Sequence, residues 1–151
     1  MANKYELIES DTVQYAGSTL YRIRALVAVG LIVAAGDVGG YVESEKNLDQ
    51  SGDAWVYGDA QVSGDAQIVW FSKVGSENGT LTVYRSKDNT LLVTRGCFSG
   101  TDEQFLDAVD QRHGNGSKIS REYHLLIEVA RSRIALGEST PEADRATEAA
   151  E

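Results

Sequence analysis

The segment Ser51–Ile68, SGDAWVYGDAQVSGDAQI, repeats Gly-Asp-Ala at Gly52, Gly58 and Gly64, and Val56, Val62 and Ile68 follow at the same six-residue step. That period suits neither a single amphipathic helix nor a hairpin meander. It suits a parallel β-helix, in which each hexad makes one short flat side plus a corner. Carried outward, the register runs Leu26, Ile32, Val38, Ser44, Gln50, Val56, Val62, Ile68 and Val74, seven of the nine apolar. Three hexads close one coil, so residues 26–79 predict about three coils, with Val38 stacked on Val56 and Val56 on Val74. Fifteen glycines against one proline agree with this reading. Glycine serves the corners, and scarce proline leaves backbone donors free for pairing between coils.

A three-coil stub has bare β edges that must be covered. Residues 1–25 supply an N-terminal cap containing a strand at Thr19–Arg24, where aromatic and β-branched side chains favour a sheet. Beyond the coils, residues 80–137 predict a hairpin, Leu81–Arg85 and Leu91–Thr94, turning at Lys87-Asp88-Asn89. Thr101-Asp102-Glu103-Gln104 is a capping-box signature opening a helix that ends near His113 and Gly114. A second helix, from about Ile119 to Leu136, sets Ile119, Tyr123, Ile127, Ala130 and Ile134 on one stripe. The expected fold is therefore mainly β with α: a short left-handed parallel β-helix of hexapeptide repeats, then a β-hairpin and two C-terminal helices. Residues 138–151 hold five acids, one Arg and no large apolar side chain, and are expected to form a disordered acidic tail.

The net charge is −9, of which the tail accounts for −4. A basic footprint for nucleic acid or anionic lipid is not expected. Cys97 is the single cysteine, so no internal disulfide can form. The longest apolar run, Ala25–Ala35, spans 11 residues interrupted by Gly30, well below the ~20 needed to cross a bilayer. These features predict a soluble protein of the cytoplasm with no membrane partner.

Catalytic constellations are sparse. His113 reads as a cation at a helix end, favoured by the macrodipole, and His124 as an exposed helix residue. Cys97, between Gly96 and Phe98, has no base beside it in sequence and reads as a small packed residue. Asp53, Asp59 and Asp65 would occupy successive corners pointing three ways, whereas metal ligands must converge. Gly36-Asp37-Val38-Gly39-Gly40 lacks the lysine and following helix of a phosphate loop. No basic cluster along the chain marks a nucleotide site. No catalytic residue, cofactor or metal is therefore expected. The aromatic set is the candidate protein interface: Trp55, Tyr57, Trp70 and Phe71, of which Trp55 and Tyr57 bracket an inward Val56 and should face outward. Such residues dominate binding hot spots, and Trp55→Ala is expected to spare folding while weakening assembly or partner binding.

Leu20–Leu26, Gly36–Glu45 with Asn47-Leu48, Trp55–Ala60, and Gly96–Thr101 with Phe105 and Arg121-Glu122-Tyr123 together resemble a group of phage- and prophage-encoded hexapeptide-repeat proteins. The resemblance spans residues 20–135 and carries no catalytic motif. It implies a non-catalytic protein-binding module, in its sharpest form an inhibitor of host antiviral defence acting on a host protein or defence complex in the manner of an anti-CRISPR protein. A homo-oligomeric assembly module is the alternative. A third reading is an acyltransferase of the hexapeptide-repeat kind, which places a histidine base at a coenzyme A cleft.

Overall fold

The computed structural model describes residues 3–30, 32–134 and 136. Its first sheet has the order β1 (Tyr5–Tyr15), β2 (Ser18–Ala25), β3 (Val38–Val42), β4 (Gln61–Val62). β1, β2 and β3 are antiparallel, and β3 pairs with β4 in parallel. The second sheet is an antiparallel meander, β5 (Ile68–Val74), β6 (Gly79–Arg85), β7 (Leu91–Arg95) and β8 (Phe98–Thr101). Two helices follow, α1 (Asp102–His113) and α2 (Lys118–Arg133).

The predicted hairpin and both helices are present. The Thr101 hydroxyl accepts from the Gln104 backbone N–H, and the Gln104 side chain accepts from the Thr101 N–H. That reciprocal pair satisfies two donors that a helix start otherwise leaves unbonded. α2 buries Tyr123, Ile127 and Ala130 as the stripe requires. Residues 138–151 lie outside the described residues.

The left-handed β-helix is not formed, and the hexapeptide register does not describe this fold. Val56, Val62 and Ile68 are buried, but Leu26, Ile32 and Val38 of the same register are exposed. The parallel pairing of β3 with β4 joins Tyr41 to Gln61 and Val42 to Val62, an offset of twenty residues rather than three hexads. The three Gly-Asp-Ala units lie at turns around one shared core, into which Ala54 and Ala60 tuck their methyls. From Ile68 onward, β5 turns back through Ser76–Asn78 and pairs antiparallel with β6, so the second sheet begins inside the 26–79 segment. A bulky β-forming stretch, Ile68-Val69-Trp70-Phe71, facing the complementary strand Leu81–Tyr84, satisfies its backbone locally. A further coil would offer it nothing more.

The second sheet is covered on both faces. Leu81, Val83, Leu91 and Val93 pack with Phe105, Val109, Tyr123 and Ile127 of the helices. On the other face, Tyr84 joins the first core with Tyr5, Ile23, Leu48, Trp55 and Val62. The Thr82 hydroxyl accepts from the Trp55 N–H, and the Tyr84 hydroxyl accepts from the Tyr57 N–H. Residues 54–57 are therefore the filling between the two sheets.

Candidate functional site

Residues 26–37 leave the first sheet between β2 and β3 and form a closed loop. Its base is fixed by backbone bonds: Ala25 N–H to Asp37 at 2.8 Å, Gly36 N–H to Ala25 at 2.8 Å, and Leu26 N–H to Lys4 at 2.8 Å. Inside it, Val29 and Val33 exchange two backbone bonds and turn their side chains into the core. Leu26, Val27 and Ile32 point outward with 44%, 43% and 47% of their surface exposed, and Val38, the first residue of β3, exposes 50%. No side chain from Ala25 to Gly36 is polar. The nearest charges are already engaged, Arg24 with Glu6 at 2.9 Å and the Asp37 carboxylate with the Ala34 N–H at 2.9 Å. Exposed aliphatic side chains on a backbone-anchored loop, beside charges that are already paired, make this loop the candidate contact surface. The apolar run is plain in the sequence. Its exposure depended on the side of the chain that faced the core, which the hexad register assigned wrongly.

The four aromatic candidates do not share a surface. Trp55 is 1% exposed, edge-on to Tyr5 at 6.5 Å between ring centroids, so its expected outward orientation is corrected: it is a core residue. Its indole Nε1 is buried without a hydrogen-bond partner among the described residues. Tyr57 and Trp70 are half-buried against the first core, while Phe71 packs against the second, on the opposite face of β5.

Asp53, Asp59 and Asp65 remain at exposed turns, Asp59 3.8 Å from Lys87 and Asp65 accepting from the Asn47 amide at 2.9 Å. Among the described residues no group of three His, Cys, Asp or Glu side chains is placed to hold a metal ion. Gly39 and Gly40 of the glycine-rich stretch are buried where a Cβ would collide with the Val56 and Tyr57 carbonyl oxygens. They allow close backbone approach, not phosphate contact.

His124 is not free. It bonds Asp110 at 3.0 Å, and the buried Ser120 hydroxyl donates to the same carboxylate at 2.6 Å. Serine, histidine and aspartate thus meet in the wrong order for nucleophilic catalysis, which needs histidine between serine and aspartate. The cluster clamps α1 to α2 across their short connection. The Ser120 and His124 bonds hold the Asp110 carboxyl below its ordinary pKa. Cys97 is exposed at the β7–β8 turn rather than packed. No described helix is long and apolar enough to cross a membrane.

Compared with known proteins, the chain matches no family model, no curated protein and no solved structure.

Proposed function

We propose that the protein is a non-catalytic binding module that docks on a partner protein through the apolar loop 26–38. The observation that carries this reading is the exposure of Leu26, Val27, Ile32 and Val38 on a backbone-fixed base whose neighbouring charges, Arg24 with Glu6 and Asp37 with the Ala34 N–H, are already paired. Fully burying such a side chain is worth about 1.5–3 kcal/mol, and with half of each already covered a partner gains about half of that per residue, which over the group is still a substantial share of a micromolar affinity. The resemblance to phage-encoded proteins supports a host protein as that partner, with an antiviral-defence complex as the sharpest candidate. The acyltransferase alternative rested on a hexad coil that this chain does not form.

Ile32→Asp and Val27→Asp place a charge on the loop at positions that expose 47% and 43% of their surface. Each is expected to abolish capture of the partner from host lysate while lowering the thermal midpoint only modestly and leaving the circular dichroism of the fold unchanged. Equal capture by wild type and both variants would overturn the reading. Light scattering on the same proteins separates partners: a wild-type dimer dissociated by Ile32→Asp would identify a second copy of this chain as the occupant.

A further inference from the structure

A cleft of about 530 Å3 opens between the β5–β6 turn, the β7–β8 turn and the C-terminal half of α1. None of its lining residues belongs to the apolar loop. Its volume falls within the range of small-molecule sites, roughly 300–1,000 Å3. The floor is aromatic: Phe105 packs tilted against Phe98 at 5.4 Å and meets Tyr123 edge-on at 5.0 Å, and Phe98 is the half-exposed ring of the three. The rim brings together Arg95, Arg112 and His113, residues separated in sequence and therefore invisible as a cluster there.

These side chains are largely unspent. Arg95 gives its Nε–H to the Tyr123 hydroxyl at 2.9 Å, and no other side-chain bond of Arg95 occurs among the described residues. Arg112 and His113 make no ion pair among the described residues, and Glu77, which also lines the cleft, pairs with none of the three. Arg112 and His113 lie in the last turn of α1, where any cation is favoured by the helix dipole. Arg95 has no such reason, because it stands at the end of a strand. Two glycines make room for it and its partner. A Cβ at Gly79 would lie 2.7 Å from the Arg95 guanidinium carbon, and one at Gly75 would collide with the Tyr123 hydroxyl.

The geometry points to a binding site for a phosphate monoester carried on a planar aromatic body, a ligand of nucleoside monophosphate type. Two guanidinium groups and an imidazole around one carboxylate suit a dianion better than a monocarboxylate, and guanidinium forks match phosphate oxygens in pairs. Phe98 supplies the stacking face, a contact that tolerates different bases. This inference stands apart from the docking loop, and each can fail without the other.

The test is titration of the full chain with adenosine 5′-monophosphate, adenosine and inorganic phosphate, followed by amide NMR. The monophosphate is expected to shift the amides of Glu77, Cys97 and His113, with affinity falling as salt rises. Adenosine and phosphate alone are each expected to bind at least about tenfold more weakly. Arg112→Gln, at an exposed position without side-chain partners among the described residues, should weaken binding at least about fivefold with an unchanged thermal midpoint. Arg95→Gln should do the same at some cost in stability. Absence of shifts at millimolar monophosphate, adenosine or phosphate binding as tightly as the monophosphate, or full affinity in Arg112→Gln would each overturn the assignment.

Discussion

Two buried cations without carboxylate partners illustrate how this chain handles charge residue by residue. Arg85 is fully buried, donates to the Gln61 carbonyl at 2.9 Å and to Asn89 Oδ1 at 2.6 Å, and lies 3.7 Å from the centroid of the Tyr15 ring. Its guanidinium joins the tip of the β1–β2 hairpin to the second sheet through neutral acceptors and an aromatic face. Such contacts suit a weakly hydrated, delocalised cation. Lys4 has the same problem with a compact ammonium. It is 4% exposed and donates to the Ala54 carbonyl at 2.8 Å and the Gly52 carbonyl at 3.3 Å. Burial lowers its pKa from 10.5 to about 8, against the opposing pull of Asp49 and Asp53. Between those values the unfolded chain keeps a proton that the folded chain has released, so stability rises with pH through that window. Tyr5 and Tyr84 act oppositely. Burial pushes Tyr5 well above its ordinary value and Tyr84 up to about 12, so their stabilising contribution is lost as pH climbs past 10. Urea unfolding of wild type and Lys4→Met from pH 7 to 11 isolates the lysine, because the tyrosine effects cancel in the difference. Wild type should gain on Lys4→Met between pH 8 and 10.5. Parallel curves would show that Lys4 does not titrate in this range.

Among the elements, those governed by local chemistry were legible in the sequence, and those governed by tertiary partners were not. The capping box at Thr101–Gln104 and the stripe Tyr123, Ile127, Ala130 define their helices without reference to the rest of the chain. The Lys87-Asp88-Asn89 turn marks its hairpin, Asn89 taking a positive φ of 61°. The hexads misled because a six-residue return of small and aliphatic residues meets the needs of turns around one core as well as those of a coil. Pairing partners far along the chain decide between the two. The apolar loop and the basic cleft were hidden for the same reason, since exposure in one and convergence in the other are properties of the assembled sheets. One short-range signal was present and unread. β1 and β2 are joined by Ala16-Gly17, both with positive φ, 51° and 83°, the arrangement of a two-residue hairpin turn. Alanine is a poor occupant of that conformation, and asparagine tolerates it. Ala16 is exposed and contributes nothing to the core. Ala16→Asn should therefore raise stability by about 0.5–1 kcal/mol, read as an upward shift in thermal midpoint. An unchanged or lower midpoint would mean that the turn is not strained at Ala16.

For the whole molecule the decisive question is whether two sheets and two apolar cores make one cooperative unit. The second sheet serves both cores at once, with Leu81 and Val83 turned to the helices and Tyr84 to the first sheet. Trp55 sits between the sheets, bonded through its backbone to Thr82 and packed on Tyr5. Its side chain fills the core that Tyr84 of the second sheet shares with Tyr5, Ile23 and Val62, so emptying it loosens the packing between the sheets. Coincident unfolding by different probes is the signature of such coupling. Tryptophan fluorescence reports the region around Trp55 and Trp70, and far-UV circular dichroism is weighted toward α1 and α2. The two should give one midpoint in urea. Trp55→Ala should lower stability by about 3–5 kcal/mol, the range for emptying a large aromatic site, and move both midpoints together. Trp55→Phe should cost less, because it keeps most of the packing and removes an indole N–H that has no partner among the described residues. Separate midpoints in wild type, or a Trp55→Phe variant in which only the fluorescence transition moves, would mean that the apolar loop on the first sheet and the cleft beside α1 belong to independently stable halves. A single transition would place both on one cooperative unit, so that any ligand taken up at either would stabilise the same folded state.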